Sequence, residues 1–204
     1  MTLTDAHPTA RHNLPPLAWL TLLGATATGL YGLVNAWATV TSGVVVVALA
    51  GIGPRRPDTT GWPVAPGAEL TWPYRAMVPV NDVPVGARWF IHAGQALTPL
   101  LWAASLAALG LLLLRAASAQ SIFEPRVRRA LNLLSLAVLL LALVPGGLLL
   151  LGTNWAVGSL GWESHTATDS TAFLFPLFVY YLCVVFSVTL RHGARLADEL
   201  DHVI

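Results

Sequence analysis

Apolar residues fall into four long runs separated by polar or proline-rich connections, and these runs organise the chain. No charged residue occurs between Asn13 and Pro54. The best helical part of that stretch is 16–38, with Pro15 and Pro16 suited to a helix start, where the missing N–H groups have no intrahelical partner anyway. Trp19 and Trp37 are eighteen positions apart, about 27 Å along a helix, which suits two interfacial anchors. The second run, 89–114, opens on Trp89 and stops at Arg115; the third, 130–152, begins as nearly pure Leu, Ala and Val; the fourth, 172–190, ends at Arg191. Crossing a bilayer core of about 30 Å takes roughly 20 apolar residues, and only closed helices satisfy their own backbone there. Four transmembrane helices are therefore expected. The apolar remainder of the first stretch, from Val44 to Ile52, has nine residues, too few for a further crossing. Its four consecutive valines favour a strand, or else prolong the first helix.

The connection at 39–88 holds seven of the fourteen prolines together with Trp62, Trp72, Tyr74 and Met77. It is too apolar for a plain linker. The runs 44–49 and 69–80 can pair as short strands with Gly and Pro turns between them. The expected fold class is thus an all-α integral membrane protein, with four transmembrane helices and a small extracytoplasmic cap containing short β-strands. Trp62, Trp72, Tyr74, Trp155 and Trp162 form its candidate ligand or partner surface, against the alternative that these rings are interfacial anchors.

Charge sets the expected orientation. The connection at 115–129 carries Arg115, Arg126, Arg128 and Arg129 against Glu124, whereas 153–171 has Glu163 and Asp169 and no cation. Positive residues stay on the cytoplasmic side, which places this connection, the N-terminal segment 1–15 and the C-terminal segment 191–204 inside, in a bacterial inner membrane. Segment 1–15 contains Pro8 and has no separate apolar region with a cleavage site, so it reads as a cytosolic lead-in. Arg126, Arg128 and Arg129 are candidate contacts to lipid phosphates, worth about 1 kcal/mol per charge.

Composition narrows the function classes. Of 204 residues 55% are hydrophobic and 10% charged, against about 25% charged in a soluble domain, which argues against both a soluble globule and a disordered chain. The net charge of +1 gives no support for direct nucleic-acid binding. All eleven cationic residues are arginine, and the single cysteine, Cys183, excludes an internal disulfide, a CxxC centre and a four-cysteine zinc site. No metal or cofactor site is assigned.

Within the spans, Gly24, Thr28 and Gly32 recur at four-residue spacing, with Thr21, Ala25 and Gly29 on an adjacent face, and small residues of this kind let helices approach closely in lipid. Pro99, Pro145 and Pro176 interrupt spans two, three and four, and Pro145-Gly146-Gly147 is the candidate hinge. No charge lies in the core of a span, which counts against proton-coupled transport. His92 lies one turn inside Trp89. Haem or metal ligation with His165 is conceivable there, and a hydrogen-bonded lone histidine is the plainer reading. There is no HExxH, GxSxG or GxxxxGK[ST], and Glu163, His165 and Asp169 read as solvated loop polarity. Beyond Arg191, Arg195 and Glu199 have helix-pair spacing and Leu196, Leu200 and Val203 form one apolar stripe, suited to docking on the arginine-rich connection or on a partner.

Phe123-x-Pro125 followed by Arg128-Arg129-x-Leu131, and the terminus Gly193-Ala194-Arg195-Leu196 through Asp198-Glu199-Leu200-Asp201 to Val203-Ile204, resemble the bacterial four-span membrane family called domain of unknown function twenty-nine seventy-five. The resemblance implies a four-helix membrane protein whose relatives often lie beside small helix-turn-helix regulators, and it supplies no catalytic residue. Together these features point to a non-enzymatic binding protein, an accessory subunit, sensor or immunity-type protein. Its partners would be membrane lipids and a membrane protein or a second copy of itself. A small transporter or lipid-handling protein is the alternative, and a haem or redox subunit the third reading.

Overall fold

The computed structural model describes residues 8–48, 69–71, 75–119, 121, 123–161 and 171–201. Trp62, Trp72, Tyr74, Trp162, Glu163, His165 and Asp169 lie outside these residues. The order of elements is α1 (Pro8–Thr41), β1 (Val44–Ala48), β2 (Glu69–Thr71), β3 (Arg75–Pro79), a 3-10 turn at Val80–Asp82, α2 (Val85–Ser118), α3 (Pro125–Ser159) and α4 (Thr171–Asp201).

All four helices are long and apolar enough to cross a membrane, and the chain is a multi-pass membrane protein. At 34 residues, α1 and α2 are each about 51 Å long and exceed the hydrocarbon core. Only about a fifth of each apolar window is buried by protein. Large side chains such as Leu23, Val34, Leu136, Phe178 and Phe186 stand exposed, an arrangement that lipid, as apolar as leucine, leaves without penalty. The helices extend past the apolar runs at both ends. Helix α1 starts at Pro8, itself suited to a first position, so Pro15 and Pro16 fall two turns inside. Helix α4 continues through Arg191 to Asp201.

The chain divides into two compact units, one formed by Met1–Leu30, Leu100–Leu141 and Phe175–Ile204, the other by Tyr31–Pro99 and Ala142–Leu174. In the first, Ala108, Leu131, Leu134, Val138 and Cys183 form the core, with Val179 and Leu190 packed against it. Gly110 allows α2 to approach Thr21 and Leu22 of α1, where an added Cβ would come within 2.9 Å of the Thr21 hydroxyl. The Ser187 hydroxyl donates to Asn132 Oδ1 at 3.3 Å.

The second unit contains the sheet, in the order β1-β3-β2 with both pairings antiparallel. The four valines form strand β1 and do not continue α1. Gly43 takes a left-handed conformation (φ 69°) that ends the helix, and its carbonyl accepts the Val80 N–H at 3.0 Å. Alternation then decides the faces: Val45, Val47 and Val78 are fully buried, while Val44 and Met77 are exposed. The run 69–80 divides into β2, β3 and the start of the 3-10 turn, and β3 occupies the centre of the sheet. The inward valines pack on Val83, Ala87 and Ile91 of the segment entering α2 and on Ala156 and Val157 of α3. Glycines set the close approach of α2 to α3. A Cβ on Gly152 would meet the Ala87 carbonyl oxygen at 2.9 Å, and one on Gly94 would meet that of Pro145 at 2.9 Å.

Within the molecule, the small residues of α1 are packed unequally. Ala18, Ala25 and Gly32 are the buried positions, Thr28 is half-buried, and nothing lies within 4 Å of a Cβ built on Gly24. Four-residue steps drift around a helix of 3.6 residues per turn, whereas seven-residue steps nearly return to one face.

Candidate functional site

Among the described residues, three buried side-chain atoms have no hydrogen-bond partner: Arg88 Nε, His92 Nδ1 and Asn154 Oδ1. All three lie in the sheet-bearing unit. Buried polar groups are ordinarily paired, so each of these is a position where supplying the missing partner lowers the free energy.

Arg88 and His92 share one cleft of about 200 Å³, lined also by Val40, Val80, Val85 and Trp89. Val40 comes from the last turn of α1, Val80 from the turn after β3, and the others from the first two turns of α2. Local sequence explains this assembly. Pro84 precedes the helix and its carbonyl accepts the Arg88 N–H at 3.0 Å, the first bond of the α2 ladder. Arg88 and His92, four apart, then stack on one side, and Trp89, which is 66% exposed, stands between them in sequence. The Gly43–Val80 hydrogen bond ties the wall contributed by α1 to the wall that leads into α2.

A guanidinium is charged at every physiological pH and presents donors in a planar fork. Among the described residues no carboxylate forms an ion pair with Arg88, and Asp82, in the preceding turn, is exposed. The lining combines one cation, one imidazole and an apolar wall, and no carboxylate is among the lining residues. Such a set can hold an anionic group against an apolar surface.

Of the candidate surface tryptophans, Trp155 is described: it is half-exposed, its ring lies against Gly86 and its centroid is 6.3 Å from that of Phe90. Arg126 and Arg129 are exposed and Arg128 is half-buried around the start of α3. Pro145, Gly146 and Gly147 lie in uninterrupted helix; Pro145 is buried, and nothing lies within 4 Å of a Cβ built on Gly147. Among the described residues no three His, Cys, Asp or Glu side chains converge to hold a metal. Phe123, in the arginine-rich connection, and Gly193, near the end of the chain, meet: the Phe123 ring packs on Gly193. In the sequence His92 stands out while Arg88 reads as the end of the loop; the signal that joins them is their four-residue spacing across Trp89 at a helix entry.

Comparison with family models, with curated proteins and with solved structures gives no match.

Proposed function

We propose that this chain is a non-enzymatic binding protein of the bacterial inner membrane, with both termini cytoplasmic, that recognises a ligand or partner through its sheet-bearing end. The observation that carries this reading is the cleft in which Arg88 Nε and His92 Nδ1 are buried without partners beside Val40, Val80, Val85 and Trp89. Binding sites combine an apolar wall with a few convergent polar groups, and this cleft has that composition. Trp155, half-exposed on α3 of the same unit, extends the recognition surface proposed for the tryptophan-rich connection. The role is that of an accessory subunit, sensor or immunity-type protein.

The test is gentle extraction from the native membrane followed by native mass spectrometry of what remains bound. A stoichiometric protein or small molecule, lost on Arg88→Gln or Trp155→Ala, is the expected result. A bare chain from wild type and variants alike overturns the reading.

A further inference from the structure

We infer that the cleft at the start of α2 holds the oxyanion head group of an anionic amphiphile, with Arg88 pairing to the anion, His92 adding a second polar contact, and the apolar wall covering the first carbons. This assignment rests on the reading of the cleft as a binding site and names the chemistry of its ligand.

Three observations lead to it. The first is charge: Arg88 is partly buried, its Nε has no acceptor, and among the described residues no carboxylate pairs with it. A phosphate or carboxylate is the acceptor that a guanidinium fork matches best. The positive end of α2, three residues earlier at Val85, favours the same sign. The second is depth. Helix α2 has 34 residues and outlasts the hydrocarbon core at its ends. Arg88, in its first turn and beside Trp89, therefore lies at the level of lipid head groups. The third is size. About 200 Å³ falls below the roughly 300–1,000 Å³ of pockets that enclose a whole small ligand. The cleft thus suits a head group and its first carbons, while the rest of the chain lies along exposed apolar side chains such as Trp37, Val40 and Val85.

The experiment uses the full chain in an uncharged maltoside detergent. It is titrated with dioleoyl phosphatidylglycerol, oleate, dioleoyl phosphatidylcholine or inorganic phosphate, and read by native mass spectrometry and calorimetry. The two anionic amphiphiles are expected to bind one to one, at least about tenfold more tightly than phosphatidylcholine, and Arg88→Gln is expected to lose about tenfold or more of that affinity. His92→Gln loses less, as befits a neutral hydrogen bond. Inorganic phosphate binding as tightly as the lipids would keep the oxyanion and overturn the amphiphile. Equal binding of phosphatidylglycerol and phosphatidylcholine by wild type overturns the assignment without recourse to any variant. A protein partner retained after extraction and released by Arg88→Gln would leave the binding role standing and overturn the oxyanion ligand. No bound species and no response to any titrant overturns both.

Discussion

The ring of Phe123, in the connection before α3, lies over the α-carbon of Gly193 on α4, so that a methyl group at Gly193 would come within 2.5 Å of the Phe123 Cε1 atom. The arginine-rich connection is thereby fastened to the far part of the last helix by an aromatic ring seated where a side chain is missing. Gly193→Ala is expected to displace the ring and to cost about 1–3 kcal/mol, the usual range for overpacking. Thermal unfolding of the detergent-solubilised protein measures it. Phe123→Leu in the same chain should recover part of the loss, and additive effects of the two changes would show that the contact carries no energy.

Two glycines of α3 should respond oppositely to alanine. At Gly152 the new Cβ would meet backbone atoms, the Ala87 carbonyl oxygen and the Ile91 nitrogen, each at 2.9 Å. Backbone cannot rotate away as a side chain can, so α2 and α3 must separate, at about 1–3 kcal/mol. At Gly147 nothing lies within 4 Å, and alanine should be neutral or stabilise by up to about 1 kcal/mol through helix propensity. If Gly147→Ala instead destabilises, the segment Pro145-Gly146-Gly147 bends in a way that a rigid helix cannot follow.

Cys183 is buried in the core of its unit with Ala108, Leu131, Leu134 and Val138. A polar maleimide should leave it unlabelled in folded protein and label it fully after denaturation. Because it is the single cysteine, Cys183→Ala then provides a background for introducing reporters elsewhere. Rapid labelling of the native protein would mean that α4 separates from α3 on the timescale of the assay.

The proposed orientation is tested with those reporters. An impermeant thiol reagent applied to intact cells should reach a cysteine placed at Asn81, beside the cleft. It should fail to reach one at Ser118, next to the arginine-rich connection. The reverse pattern would invert the assignment of sides and place the cleft in the cytoplasm.

Much of this architecture can be read from order and spacing alone. The four apolar runs specify helices because lipid permits little else, and the Val44–Val47 run is a strand because its length is wrong for a crossing and its side chains are β-branched. The facing of the helices was less legible. Gly24 looks like a packing residue until the drift of a four-residue ridge is compared with the seven-residue recurrence of Ala18, Ala25 and Gly32. Gly86, Gly94 and Gly152 owe their importance to whatever stands opposite, and only the α2–α3 register supplies that. The cleft was hidden for a related reason. Arg88 sits beside the end of an apolar run and reads as loop, and its proximity to Val40 and Val80 depends on pairing between distant strands.

That pairing bears on how the molecule is made. Strand β1 follows α1 directly and β3 leads into α2, and the register of Val44 with Pro79 through Ala48 with Arg75 requires both strands on one side of the bilayer. Because β1 precedes β3 in the chain, its edge has no β3 partner until β3 is available. An error that inserted either helix backwards would leave the two strands separated by the membrane, each displaying unpaired backbone to passing chaperones and proteases. The small sheet can therefore close only when the end of α1 and the start of α2 lie on the same side of the bilayer.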